Sequence, residues 1–379
     1  MFRLGKIMQP HEYKKRILIA VSGLSPQILT ETLYGLAVKS QPAFIPTEIH
    51  LITTIEGAHR ANLSLLHEEK GPFHVLCRDY QLSDINFTEQ HIHIICDQEG
   101  NELDDIRNPA QNEAAADFIT NIINQLTRDE DTAVHVSIAG GRKTMGYYIG
   151  YALSLFGRTQ DRLSHVLVSD GYEGLPEFYY PTPKSNVINT RDNRPLDTSK
   201  AQITLAEIPF IRMRQDIPEK LLKGKVGFLD TINLARKAEL IPELIIDLEN
   251  KKISANGEVF TMPAIAIAFY SWLLKQTIHS QDALEKPLEF EGNSQYAEDF
   301  IIDYRTVVGE MGAETTENAL IKGMEGAFFA EKITRINKQL KENLGERLAK
   351  AYLIKSSRHD GAMFYATDLL AEQVTFSTI

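Results

Sequence analysis

Residues 134–148 read V-H-V-S-I-A-G-G-R-K-T-M-G-Y-Y. Val134, Val136 and Ile138 recur at the period of a strand, and the run stops at Gly140-Gly141. A helix-compatible segment begins at once with Arg142, Lys143 and Thr144. Strand, glycine turn and helix start together form an anion site. The first N–H groups of a helix lack backbone acceptors, and the helix dipole puts its positive end there. Arg142 and Lys143 add two cations to that pull. Cations are disfavoured at a helix N-terminus unless an anion lies beside them, so this segment favours a phosphate-bearing ligand over a solvated surface.

Upstream, R-I-L-I-A-V-S-G-L (16–24) is a second strand running into a glycine. Ser25 and Pro26 follow as N-cap and first helical residue, with Ile28, Leu29, Leu33 and Leu36 at helical spacing. Ser25 reads both as a cap and as a ligand contact. Ser22 and Gln27 lie on the same turn, and Glu31, one turn further in, reads as helix surface. Further strands are expected at 48–54, 74–77, 91–96 and 164–170. Helices are expected from Glu56 to about Lys70, from Asn108-Pro109 onward, and from the glycine turn to about Arg158. Strands alternating with amphipathic helices predict an α/β fold with a Rossmann-like, doubly wound, mostly parallel sheet. Such sheets bind ligands beyond the carboxyl ends of their strands, where strand order reverses. The turns at Ser22–Pro26 and Ala139–Thr144 are therefore expected to line one pocket.

From Lys184 to Lys200 the chain turns polar and reads as a loop or linker. Beyond it, Asn256-Gly257 between short apolar runs predicts a hairpin, and residues 263–274 an apolar helix. Residues 285–325 carry ten acidic and three basic residues, a solvated helical face. Residues 331–350 set Ile333, Ile336, Leu340, Leu344 and Leu348 on one helix face and Arg335, Lys338 and Lys341 on the other. A last hairpin, Tyr352–Ile354 with Met363–Ala366, completes a winged helix-turn-helix-like α+β domain. The expected division is 1–190 for the ligand-binding domain, 191–240 for a connector and 241–379 for the winged helix.

At 379 residues, with 43% apolar and 24% charged residues, two globular domains are expected. No apolar run reaches membrane-spanning length, and the first ten residues lack the apolar core of a signal peptide. Cys77 and Cys96 form no disulfide framework, which suits a reducing cytoplasm. A net charge of −11 argues against coating long nucleic acid but not against one focused anion pocket. G-G-R-K-T fails as an ATPase phosphate loop, since Arg142 stands where that motif requires glycine. His91 and His93 share a strand face but lack a third ligand at metal spacing, so they read as a structural or solvent-facing pair, and neither metal nor cofactor is expected. His135 and His165 read as ordinary sheet residues.

The runs I-L-I-A-V-S-G-L-S-P-Q-I-L-T-E-T-L (17–33) and H-V-S-I-A-G-G-R-K-T-M-G-Y-Y-I-G-Y-A-L-S-L-F-G-R (135–158) resemble the CARF (CRISPR-associated Rossmann fold) proteins of type III CRISPR systems. D-R-L-S-H-V-L-V-S-D (161–170) with L-P-E-F-Y-Y-P-T-P (175–183) supports the resemblance, which covers about residues 14–185. It implies a homodimer that binds cyclic oligoadenylate, most often cyclic tetra-adenylate. In ring nucleases of this kind a ribose 2′-hydroxyl attacks the adjacent phosphate without metal. Carried onto this sequence, Lys143 and Ser25 are the catalytic candidates. Ser22, Gly23, Gln27, Gly140, Gly141, Arg142 and Thr144 are the ligand-binding ones. Many CARF proteins also carry a HEPN ribonuclease motif, an arginine followed by a histidine with four to six residues between them. Neither histidine after Thr190, His279 or His359, has that arginine, and Arg60/His67 and Arg158/His165 fall inside the sensor domain. The resemblance therefore implies a ring nuclease that switches the CRISPR response off. The alternative is a non-catalytic sensor and regulator that binds the same ligand and uses the winged helix on DNA, a role that the acidic segment beside the basic helix argues against.

Overall fold

The structure, a computed structural model, describes residues 8–67, 70–225, 227–278 and 282–377. Two compact units divide it: one runs up to Arg214 and takes in Gly224–Asp230, and the other holds Gln215–Lys223 and everything from Thr231 onward. Readings that touch residues 1–7, 68–69 and His279 lie outside the described residues.

The first unit is built on β1 (Lys15–Val21), α1 (Gln27–Tyr34), β2 (Glu48–Thr53), α2 (Ile55–Leu65), α3 (Pro72–Asp79), β3 (Ile92–Ile94), α4 (Pro109–Leu126), β4 (Thr132–Ser137), α5 (Lys143–Phe156) and β5 (Arg162–Val168). A small hairpin, β6 (Val187–Asn189) with β7 (Pro195–Asp197), and a strand β8 (Ile203–Glu207) complete it. The main sheet has the order β3-β2-β1-β4-β5-β8, parallel except for β8, which runs antiparallel to β5. Strand order reverses between β1 and β4, as a doubly wound sheet requires. Ile17 to Val21 are almost wholly buried because helices cover both faces of the sheet. Asn108 caps α4, its side chain accepting from the Gln111 N–H at 2.9 Å, with Pro109 as first helical residue.

Four expectations change. Residues 74–77 form not a strand but the middle of α3. Pro72 starts that helix, and Phe73 and Leu76, one turn apart, are its buried residues. The first helix begins at Gln27, so Pro26 rather than Ser25 is its N-cap, and no side chain caps it. The polar segment 184–200 is neither plain loop nor linker: it holds the β6–β7 hairpin, whose Ile188 is buried, and β8 then adds an edge strand to the sheet. The last hairpin starts at Lys355 rather than Tyr352, which is fully buried instead.

In the second unit come α6 (Glu219–Lys223) and α7 (Phe228–Lys237), which begins at the boundary, then β9 (Leu244–Asp247), β10 (Lys252–Ala255) and β11 (Glu258–Thr261). Asn256 and Gly257 take positive φ of 46° and 77°, the turn that matches strand twist between β10 and β11. Next are α8 (Ala264–Thr277), β12 (Leu284–Glu285), α9 (Ser294–Val308), α10 (Glu310–Ala319), α11 (Gly326–Ala349), β13 (Lys355–His359), β14 (Ala362–Ala366) and β15 (Val374–Phe376). Helix, strand, helix, helix and hairpin, with the sheet order β12-β14-β13, is the winged helix-turn-helix arrangement, with α10 inserted. Its core gathers Phe269, Tyr270, Trp272, Phe300 and Phe329, and the expected face of α11 from Ile333 to Leu348 is buried there.

Candidate functional site

The turns after β1 and β4 meet at the point of strand reversal. A Cβ on Gly23 would lie 3.6 Å from the Gly141 Cα. Gly140 has φ of 135° and Gly141 of 67°, and a Cβ on Gly140 would come within 2.8 Å of the Val21 carbonyl oxygen. Only glycine allows this conformation and this approach together. The two turns that the sequence singled out are thus held in contact.

Above them α5 starts at Lys143, with Arg142 as an extended N-cap that offers no side-chain cap. The Met145 N–H turns back to the Arg142 carbonyl at 2.9 Å. The Lys143 and Thr144 amides have no acceptor among the described residues, which leaves the open donors of a helix start. Lys143 is exposed and forms no ion pair among the described residues. Arg142 differs. Its Nε and Nη2 donate to the two Asp105 carboxylate oxygens at 2.9 and 2.5 Å. Hydrogen bonds from Arg142 and then Arg107 hold the Asp105 carboxyl well below the usual carboxylate range. Of the two expected cations, only Lys143 is uncommitted.

Beside these turns is a cavity of about 220 Å³, lined by Ser25, Gln27, Glu31, Gly140, His165 and Glu173 together with apolar Ile28, Val166, Val168 and Leu175. Ser25 and Gln27 therefore reach the site, whereas Ser22 is wholly buried with an unpartnered hydroxyl and is not part of the lining. Glu31 is not helix surface. It is 6% exposed, and its carboxyl hydrogen-bonds nothing among the described residues. Burial, and after it the Glu173 charge, pushes Glu31 up to about 7. Gln27 Oε1 and His165 Nδ1 are also buried without a partner. Glu31, His165 and Glu173 are functional candidates that sequence reasoning passed over. The only local signal was a glutamate among the apolar positions of α1.

Glu31 has a stability consequence of definite sign. A carboxyl raised from 4.5 to about 7 contributes stability that is present below 4.5 and lost as pH rises through 7. Glu31→Gln should therefore raise the melting temperature at pH 8 and change it little at pH 5. Equal shifts at both pH values in calorimetry would contradict the burial argument.

His91 and His93 do face one another's neighbourhood, but with a third histidine between. His50 Nδ1 lies 2.7 Å from His93 Nε2, and Glu48 sits 3.2 Å from His50 Nε2 and 3.6 Å from His91 Nε2. Burial, and next the His93 charge, lowers His50 to about 4. Among the described residues no group of three or more histidine, cysteine or acidic side chains is placed to hold a metal ion. Arg158 of the Arg158/His165 spacing is locked on Asp161, at 2.9 Å. On α11 the basic residues are paired with glutamates of the same helix: Arg335 with Glu331 at 2.6 Å, Lys338 with Glu342 at 3.5 Å and Lys341 with Glu346 at 3.0 Å. No helix among the described residues is long and apolar enough to cross a membrane.

A family model described as CRISPR-associated protein NE0113 matches residues 25–235, more than half of the chain. That span contains the cavity lining and the whole β4–α5 turn. No curated protein matches the chain.

Proposed function

This chain belongs to the family of CRISPR-associated protein NE0113, and from that premise we propose that it is a CARF ring nuclease that binds and opens cyclic oligoadenylate, most simply cyclic tetra-adenylate. The observation that carries the reading is the start of α5, with open Lys143 and Thr144 amides and an unpaired Lys143 ammonium over the strand-reversal point. A phosphodiester placed there meets backbone donors, a helix dipole and one free cation. Two copies around a two-fold axis would present two such sites to one ring.

The reaction needs little from the protein beyond geometry and charge. The ribose 2′-oxygen attacks the adjacent phosphorus, and the P–O5′ bond breaks. The proton lost from O2′ is matched by one gained at O5′, leaving a linear product with a 2′,3′-cyclic phosphate end. Lys143 stabilises the charge that grows on the phosphorane oxygens, and Ser25 positions ribose or phosphate. Gly23, Gly140, Gly141 and Thr144 shape the cradle, Gln27 borders the base side, and Arg142, its charge largely matched by Asp105, acts as a fixed wall.

The test is incubation of the purified protein with labelled cyclic tetra-adenylate in EDTA. Linear products ending in 2′,3′-cyclic phosphate are expected, and absence of turnover for every ring size from three to six adenylates would end the enzyme reading. A second reading, a non-catalytic regulator acting on DNA, has the winged-helix arrangement in its favour. The glutamate-paired cations of α11 and the −11 net charge count against it. Ligand-modulated, salt-dependent binding to a promoter fragment would revive it.

A further inference from the structure

The cavity beside the phosphate cradle holds more chemistry than the ring-opening reaction uses. At about 220 Å³ it is smaller than the roughly 300–1,000 Å³ of pockets for drug-sized ligands, so it suits a single ring system. Ile28, Val166, Val168 and Leu175 supply apolar walls. Two polar atoms of the lining residues are buried without a partner, Gln27 Oε1 and His165 Nδ1, and Glu31 lines the same cavity. Buried polar groups without partners are costly unless a ligand satisfies them. Resting on the cyclic oligoadenylate reading, we propose that this cavity takes one adenine base and that Glu31 reads the base edge as a neutral carboxylic acid.

The donor and acceptor patterns support that choice. Adenine presents an N6 amino donor beside a ring-nitrogen acceptor. A protonated carboxyl matches both, its carbonyl accepting from N6 and its O–H donating to the ring nitrogen. Gln27 Oε1 stands as acceptor for a second amino hydrogen. An ionised carboxylate offers only acceptors, repels the ring nitrogen of adenine, and suits the paired N–H donors of guanine instead. The titratable groups that line the cavity with Glu31 are Glu173, in the loop after β5, and His165 on β5. The β4–α5 turn contributes only Ala139 and Gly140 there. Burial, and after it the Glu173 charge, raises Glu31 to about 7, so the neutral acid prevails below neutral pH.

The experiment is equilibrium binding of a cyclic tetra-adenylate whose 2′-hydroxyls are replaced by fluorine, so that it cannot be cut. It is run from pH 6 to pH 8.5 with the intact chain, Glu31→Gln and Glu31→Ala. With one linked proton leaving near pH 7, affinity of the intact chain should fall about tenfold between pH 6 and pH 8. Glu31→Gln, an isosteric mimic of the neutral acid, should bind as tightly as the intact chain does at pH 6 and show no pH slope. Glu31→Ala should bind weakly at every pH. A slope that survives in Glu31→Gln belongs to another group of the lining, His165 or Glu173, and overturns the assignment to Glu31, while the cyclic oligoadenylate reading stands. Absence of binding by all three proteins at every pH overturns both.

Discussion

Lys143→Ala should slow ring opening by two to three orders of magnitude under single-turnover conditions while weakening ring binding by about tenfold or less. Removing one preorganised donor from a developing oxyanion costs about 2.7–4 kcal/mol of barrier, or roughly 10²–10³ in rate. A charge-assisted contact to a bound phosphate, made equally in ground and transition state, would instead appear in the dissociation constant. The two effects separate by measuring the rate at saturating ring and the affinity for an uncleavable ring. Lys143 carries this weight because it alone of the two cations at the helix start is unpaired. Arg142→Ala should cost much less, since the Asp105 carboxylate already neutralises most of its field. An unchanged rate at saturation in Lys143→Ala would show that the lysine only holds the ring and that the cutting group lies elsewhere.

The division between what the residues foretold and what they hid follows the range of the interactions. The strands of the main sheet were legible because β1 holds a continuous apolar run, as buried parallel strands do, and β4 sets Val134 and Val136 at strand period. Asn108-Pro109 and Asn256-Gly257 were legible because caps and tight turns are local. Residues 74–77 were not, since a short apolar run does not distinguish strand from helix, and the buried Phe73 and Leu76 pattern spans a single turn. The polar hairpin β6–β7 looked like a loop or linker because its strands are three residues each, with a single buried side chain, Ile188, between them. The site divides in the same way. Glycine turns and the helix start could be read directly, but the partner of Arg142 lies 37 residues upstream in Asp105. Glu31 is buried by β5 and the loop around Glu173, elements far along the chain, so a glutamate on an amphipathic helix looked like surface.

The fold that holds those turns depends on a buried ion pair at the opposite ends of β4 and β5, and Asp161→Ala should expose that dependence. Asp161 is completely buried and Arg158 is 5% exposed. The Asp161 carboxylate accepts from the Arg158 N–H, Nε and Nη2 at 2.7, 3.0 and 2.9 Å, and from the Val134 N–H at 2.9 Å. Arg158 also donates to the Asp129 carbonyl. Deleting the carboxylate leaves a guanidinium uncompensated in the interior and a strand amide without its acceptor, a loss of about 3–5 kcal/mol. For a unit of this size that corresponds to a fall in melting temperature of roughly 6–20 °C. The single tryptophan, Trp272, lies in the second unit and is blind to this change, so calorimetry or far-ultraviolet dichroism must follow it. Replacing both partners by apolar residues, as in Arg158→Leu with Asp161→Leu, should recover much of the loss, because the desolvation penalty of both charges disappears with their attraction. A single replacement that costs less than about 1 kcal/mol would mean that solvent or another carboxylate reaches Arg158, and the pair would then be no more than a surface bridge.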